Sequence, residues 1–271
     1  MPDLIEIAKR IRTHIVEATT EAASGHPSSS LSAVEIGVVL FFGDVLSYNA
    51  SEPKWEDRDR FILSKGHASP LLYALLAEAG YFAVSELMTL RKFGSPLEGH
   101  PNMRRLPGVE ASTGSLGQGL SAGIGHALAA RIDFKDFRVY VLVGDGEMQE
   151  GQVWEAMMFA GRHQIDNLTL IVDRNQYQQT GAVDEILGLD PLAEKIASFG
   201  WEVTEIDGHS IDDVSTAFDW ARGLQKKPQA IIANTLKGKG VSFLEKEGNF
   251  HGKPIPKDKL PQALADIERG L

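Results

Sequence analysis

The stretch Arg138-Val139-Tyr140-Val141-Leu142-Val143-Gly144-Asp145-Gly146 decides the fold class of this 271-residue chain. Its apolar run is short, rich in valine and stopped by glycine, which is typical of a strand buried on both faces. Residues 168–172 repeat the pattern and stop at Asp173, and residues 150–163 between the two runs have a helical period. We therefore predict a strand–helix–strand unit whose two strands are parallel.

C-terminal to this unit, the alternation of helices and strands continues as helix 191–198, strand 201–206, helix 211–225 and strand 229–235. This alternation predicts an α/β fold, a doubly wound parallel sheet flanked by helices, with ligands at the carboxyl ends of the strands. The residues before 138 show no strand pattern and predict only helices, at 5–22, 32–42, 70–79 and 85–93. No change of composition marks a second domain, so we expect one domain over residues 1–271, with 253–271 as a C-terminal tail.

Charge and composition exclude several classes of partner and chemistry. The chain carries 27 Lys and Arg against 37 Asp and Glu, a net charge of −10, which repels nucleic acid and anionic membranes. The absence of Cys excludes disulfides, thiolate nucleophiles and cysteine-ligated zinc or iron–sulfur sites. The sequence has no basic and apolar leader pattern and no stretch of about 18 apolar residues. We therefore expect a cytoplasmic protein with no nucleic-acid or membrane partner.

Polar residues follow both strands of the central unit. Asp145 lies between two glycines that let backbone approach a ligand, and Asp173-Arg174-Asn175-Gln176-Tyr177 follows the second strand. An Asp oxygen, an Asn amide oxygen and a nearby backbone carbonyl form a hard ligand set that suits magnesium or calcium beside a diphosphate. Gly-Asp-Gly by itself is also typical of an ordinary turn.

Together the two strand ends resemble the thiamine-diphosphate motif, which opens with Gly-Asp-Gly and closes with a paired Asn. Here 27 residues separate Gly146 from Arg174-Asn175, and Arg174 stands where the first Asn of the pair is usual. The resemblance implies thiamine diphosphate as cofactor. It also implies a bound Mg²⁺, or Ca²⁺ or Mn²⁺, with three ligands: Asp145, Asn175 and the carbonyl of Tyr177.

Four loops that each place a histidine beside a glycine narrow the family. They are Ser24-Gly25-His26-Pro27, Ser64-Lys65-Gly66-His67, Glu98-Gly99-His100-Pro101 and Phe250-His251-Gly252. With the glycine-rich stretch 111–119 and Lys237-Gly238-Lys239-Gly240, they resemble, in order over residues 7–252, the diphosphate-binding half of transketolase. A dinucleotide fingerprint is excluded because residues 108–113 are not strand-like, and 237–240 lacks the Ser or Thr of a Walker loop.

The resemblance implies a role for each candidate site residue. The residues implied to act on the substrate or its chemistry are His26, His100, His251 and Glu150. The residues implied to hold the cofactor are His67, Gly114, Leu116, Gly117, Gly144, Asp145, Gly146, Glu147, Asn175 and His251. One departure is local, since Ser28-Ser29-Ser30 follows His26-Pro27 where the family usually has glycine.

Length bears on the assembly, because a full transketolase is more than twice as long and its second half binds the aminopyrimidine of the cofactor. We therefore expect a separate C-terminal subunit with the pyrimidine-binding and C-terminal domains, in an α2β2 assembly that moves a two-carbon ketol unit between sugar phosphates. The sequence leaves the sugar open: it could be an ordinary pentose phosphate, a sulfosugar or the sugar of an unusual pentose pathway. The alternatives are a 1-deoxyxylulose-5-phosphate synthase-like subunit, a 2-oxoacid dehydrogenase α-like subunit and a non-catalytic cofactor-binding subunit.

Overall fold

The computed structural model describes residues 3–245 and 250–270, and its central feature is a five-stranded parallel sheet. The strand order is β1-β2-β3-β5-β4. The strands are β1 Arg60–Leu63, β2 Val139–Gly144, β3 Leu168–Arg174, β4 Glu202–Asp207 and β5 Gln229–Asn234. The predicted doubly wound α/β class is confirmed.

Helices precede, connect and follow the strands. In the described part of the chain the α-helices are α1 Leu4–Glu21, α2 Pro27–Leu31, α3 Val34–Phe42, α4 Ser69–Glu78, α5 Gln118–Ile132, α6 Gly151–Arg162, α7 Val183–Leu187, α8 Leu192–Ser198, α9 Ile211–Gly223, α10 Ser242–Glu245 and α11 Leu260–Arg269. Short 3₁₀ turns cover Gly66–Ala68, Val84–Thr89 and Gly146–Gln149. Within the described residues, no helix combines the length and apolar character needed to cross a membrane.

Successive residues of strand β2, which lies inside the sheet between β1 and β3, pack into two separate apolar layers. Tyr140 and Leu142 join the core formed with α1, α3, α4 and α9, whereas Val139, Val141 and Val143 join the core formed with α5, α6 and α8. This alternation follows from the two-residue period of a strand. Burial on both faces explains why the strand is a continuous apolar run rather than an alternating one.

The prediction that the first half holds no strand is wrong, because β1 lies at one edge of the sheet. Its four residues pair with Val139–Leu142 of β2, and all four are buried. The strand begins with Arg60, whose guanidinium lies 4.1 Å from the ring centre of Phe137. This cation–π contact stabilises the charge at the edge of the sheet. A four-residue strand that starts with a charge is below what a period-based prediction can detect.

Helix α5 was also not predicted, because its sequence is rich in glycine and has little one-sided hydrophobicity. Packing explains one of these glycines. A Cβ atom on Gly123 would lie 2.5 Å from Cγ2 of Val141, so the absence of a side chain lets α5 lie directly against β2. The other helix predictions are close. The predicted helix 32–42 is α3, which the separate short helix α2 precedes, and the predicted helix 85–93 is instead the 3₁₀ turn Val84–Thr89. The predicted tail also contributes to the core, through Ala263 and Ile267 of α11.

The pairing of the strands places the loops that follow β2, β3 and β5 next to one another. Gly144 of β2 pairs with Asp173 of β3, and Asp173 in turn pairs with Ala233 of β5. The carboxyl ends of three neighbouring strands therefore lie side by side, which is the position where doubly wound sheets bind ligands.

Candidate functional site

A cavity of about 450 Å³ lies at the carboxyl ends of the strands. Nearly all the candidate residues line it: His26, His67, His100, Gly114, Leu116, Gly144, Asp145, Gly146, Glu147, Glu150, Asn175, Tyr177 and His251. These residues come from widely separated segments of the sequence, so the tertiary fold has brought the predicted motifs into one place. Gly117 does not line the cavity.

Asp145 is a buried carboxylate that favours a cation beside it. Among the described residues, its oxygens accept hydrogen bonds from the backbone N–H groups of Gly146 and Gln176. Burial, and then the charge of Asp173, raise the pKa of Asp145 to about 7. A divalent cation at this position would offset both effects, so the carboxylate has the environment of a metal ligand.

The second strand end supplies further oxygen atoms. Oδ1 of Asn175 accepts the backbone N–H of Tyr177 at 3.2 Å, while its Nδ2 donates to Oδ2 of Asp173 at 3.1 Å. The carbonyl of Tyr177 accepts a long hydrogen bond of 3.4 Å from Nζ of Lys237, so a cationic group already lies beside this oxygen. The described residues form no cluster of three His, Cys, Asp or Glu suited to a metal, so a metal here must use the amide and carbonyl oxygens. A hard cation such as Mg²⁺ fits this all-oxygen donor set.

Three histidines that line the cavity form a compact cluster. The ring centres of His26, His67 and His251 lie 5.1 to 5.2 Å from one another. Burial is the main cause that lowers the pKa of His26 to about 4, of His251 to about 3, and of His67 well below its usual value. The imidazoles are therefore neutral at physiological pH, and each offers one N–H donor and one nitrogen acceptor.

The candidate His100 is held against a glycine. Its Cδ2 atom would lie 2.8 Å from a Cβ on Gly114, a residue with a φ of +140°. Burial, and then the charge of Arg91, lower the pKa of His100. This imidazole is also neutral, and it lines the cavity together with the three-histidine cluster.

Two lysines at the site were not among the predicted residues. Lys65 is almost completely buried, lines the cavity and forms an ion pair with Asp173. Nζ of Lys237 lies 3.0 Å from Nδ1 of His251, and burial, followed by the charge of Lys65, lowers the pKa of Lys237 to about 8. Both lie within the glycine-containing motifs Ser64-Lys65-Gly66-His67 and Lys237-Gly238-Lys239-Gly240, which were the signal that could have identified them. Paired cations beside an oxygen-ligand set suit an anionic diphosphate.

Glu147 and Gly117 form a fixed corner of the site. The buried carboxylate of Glu147 accepts hydrogen bonds from the hydroxyl of Ser64 and from the backbone N–H groups of Gly117, at 2.9 Å, and Gly144, at 3.1 Å. Glu147 thus joins three loops, and it holds Gly117 at a φ of +82° that favours glycine. Glu150 is different: it is exposed at the rim, where α6 begins.

Comparisons with known proteins agree with this geometry. Residues 5–266 match the family model described as the transketolase thiamine diphosphate binding domain. Human transketolase is 44% identical over 265 residues, which are 97% of this chain but 42% of the human protein. The 6-deoxy-6-sulfo-D-fructose transketolase subunit SqwG of Clostridium sp. (strain MSTE9) is 42% identical over 98% of this chain and 97% of that subunit.

Solved structures show the same similarity. Transketolase from Leishmania mexicana superposes with a TM-score of 0.93 and 31% identity, covering 99% of this chain and 42% of that one. Transketolase from Campylobacter jejuni superposes with a TM-score of 0.91 and 34% identity, covering 98% and 42%. The chain thus spans somewhat less than half the length of human transketolase and of these two solved transketolases.

Proposed function

The chain belongs to the transketolase family, in which it matches the thiamine diphosphate-binding domain, and on this premise we propose that it is the diphosphate-binding subunit of a transketolase. The proposed reaction transfers a two-carbon ketol unit from a ketose to an aldose. The observation that carries the proposal is one cavity lined by the oxygen ligands, the neutral histidines and Lys65, with Lys237 in contact with His251. Thiamine diphosphate, when bound, supplies the carbon nucleophile and electron sink for this chemistry.

The residues of this chain divide the work. Asp145, Asn175 and the Tyr177 carbonyl are proposed to hold Mg²⁺, or Ca²⁺ or Mn²⁺, which in turn binds the diphosphate. His67, His251 and Lys237 are proposed to contact the diphosphate oxygens. Backbone and side-chain contacts from Gly114, Leu116, Gly144, Gly146 and Glu147 are proposed to shape the rest of the cofactor site.

His26, His100 and His251 are proposed to contact the hydroxyl groups of the sugar. Because their pKa values are lowered, each ring is neutral and can donate to one hydroxyl while accepting from another. Such a ring can also take up or release a proton during the reaction. Glu150, exposed at the rim, is proposed to lie where a partner subunit completes the site.

A separate partner subunit is part of the proposal. The support is the relative SqwG, which carries the name of a transketolase subunit and matches this chain over 97% of its own length. Human transketolase and the solved transketolases extend well beyond the matched region. We propose that a second chain supplies the pyrimidine-binding and C-terminal domains, in an α2β2 assembly that acts on sugar phosphates or sulfonated sugars.

The alternatives are less well supported. The relatives named here are transketolases or a transketolase subunit, rather than 1-deoxyxylulose-5-phosphate synthases or 2-oxoacid dehydrogenases. A non-catalytic subunit would not need a cavity with several neutral imidazoles beside an oxygen-ligand set.

Reconstitution tests the proposal. The 271-residue chain is assayed with thiamine diphosphate, Mg²⁺, a ketose donor and an aldose phosphate acceptor, first alone and then with a candidate partner chain. The donor is either a ketose phosphate or a sulfonated ketose. We expect ketol transfer only when both chains are present. Turnover by the chain alone would refute the partner requirement, and cofactor binding without turnover by the complex would favour the non-catalytic alternative.

A further inference from the structure

The buried carboxylate of Asp173 accepts hydrogen bonds from four side chains among the described residues. Its Oδ2 atom accepts from Nζ of Lys65, from Oγ of Ser32 at 2.6 Å and from Nδ2 of Asn175 at 3.1 Å. Its Oδ1 atom accepts from the hydroxyl of Thr235. The side chains of Asp173 and Lys65 are 0% and 1% exposed, so this ion pair is sealed from solvent.

This network determines which way the amide of Asn175 is turned. The NH₂ group meets a carboxylate oxygen and the amide oxygen meets the N–H of Tyr177, so each contact joins a donor to an acceptor. The opposite orientation would place oxygen against oxygen and N–H against N–H. Because the NH₂ group is committed to Asp173, the amide atom left with a free lone pair is the oxygen.

We propose that the Lys65–Asp173 ion pair is a positioning device that holds Asn175 with its amide oxygen available to the metal, an inference that rests on the proposed function. Lys65 holds the Asp173 carboxylate in place through their ion pair, and Asp173 binds the NH₂ group. Neither residue needs to touch the metal. Partners of this kind, behind a metal ligand, commonly influence metal affinity strongly.

Two double variants separate the hydrogen bond from the charge. Lys65→Met/Asp173→Leu replaces the buried ion pair by apolar side chains, an exchange that proteins often tolerate, and it removes the acceptor for Asn175. Lys65→Met/Asp173→Asn removes the same charges but keeps a carbonyl oxygen that can accept from Nδ2. Thr235→Val is the matched control, because Thr235 donates to the other carboxylate oxygen and, among the described residues, forms no hydrogen bond with Asn175.

Mn²⁺ is the probe, and its binding to the full 271-residue chain at saturating thiamine diphosphate is measured by electron paramagnetic resonance, with thermal unfolding followed in parallel. We expect the Leu variant to bind Mn²⁺ about 10- to 100-fold more weakly than the wild type. The Asn variant is expected to recover most of that affinity, and Thr235→Val to retain it.

The outcomes are distinct. Wild-type affinity in a folded Leu variant, or equal losses in the Leu and Asn variants, would overturn the positioning role. A wild-type chain that binds no Mn²⁺ with the cofactor would overturn the proposed metal site and this inference with it. Should the Leu variant fail to fold, the side-chain NH₂ resonances of Asn175 in the wild type decide: protection from exchange supports the inference, and rapid exchange refutes it.

Discussion

Replacing Asp145 by Asn is expected to stabilise the metal-free chain while abolishing its response to metal and cofactor. The two effects have opposite signs because one carboxylate is both a buried charge and a proposed ligand. An ordinary Asp pKa of 3.8 and a folded-state pKa of about 7 differ by an amount equivalent to about 4 kcal/mol. The two carboxylate oxygens of Asp145 each accept a hydrogen bond from a backbone N–H group, and Asn can replace only one of these oxygens. The lost hydrogen bond costs about 1 to 2 kcal/mol. The net gain at pH 8 is therefore about 2 to 3 kcal/mol.

The free energy of unfolding of the wild type should depend on pH in a direction that tests this account. A carboxyl whose pKa is raised by folding contributes most stability below pH 3.8, and that contribution is lost as the pH rises through about 7. The wild type should therefore lose about 3 kcal/mol relative to Asp145→Asn between pH 5 and pH 8. Chemical denaturation of both proteins at the two pH values, in the presence of a chelator, measures this difference directly.

Ligand then removes most or all of this difference. With Mg²⁺ and thiamine diphosphate at about 100 times their dissociation constant, the wild type should gain about 2.7 kcal/mol and the variant nothing. A difference between the proteins that does not change with pH would refute the account of Asp145 as a buried, uncompensated carboxylate. An equal gain from ligand in both proteins would remove Asp145 from the metal site.

Three further predictions follow from other parts of the structure. His100→Ala should lower kcat by about 10²- to 10⁴-fold in the reconstituted enzyme without changing its affinity for the cofactor. Steady-state kinetics measure the first quantity and calorimetry the second. An equal loss of cofactor affinity would contradict the proposed contact of His100 with the substrate. Cofactor affinity should fall as the pH rises through about 8, where Lys237 loses its proton, and Lys237→Met should remove most of that dependence in calorimetric titrations. Gly123→Ala should destabilise the chain by about 1 to 3 kcal/mol, because the added Cβ would overlap Val141. Gly125→Ala in the same helix is the control: its Cβ meets nothing within 4 Å, so it should stabilise the chain by about 0.5 to 1 kcal/mol. Equal unfolding midpoints for the two variants would contradict the close contact between helix α5 and the sheet.

Much of the site was predictable because its signals are local. A run such as residues 139–143 is apolar at every position, which a strand buried on both faces requires, and its glycine stop marks the strand end. Parallel strands align their carboxyl ends, so the residues after β2 and β3 had to lie near one another. The resemblance of the histidine loops to a known family suggests the roles proposed for them, and the structure places their histidines around one cavity.

Other features have no local signal. Strand β1 forms because its four residues pair with β2, and α5 is stable because Gly123 lets the helix pack on the sheet. The periodicity of apolar residues in the sequence reveals neither element. The buried ion pair of Lys65 and Asp173 joins residues 108 positions apart. In sequence both are ordinary polar residues that favour the surface.

What the sequence determined by itself is the class of fold and the chemistry available at the strand ends, because apolar runs and their polar stops depend only on neighbours along the chain. The tertiary structure alone decided the protonation states and the orientations at the site. Those depend on burial and on charges brought together from distant segments, as in the neutral cluster of His26, His67 and His251 and the fixed amide of Asn175.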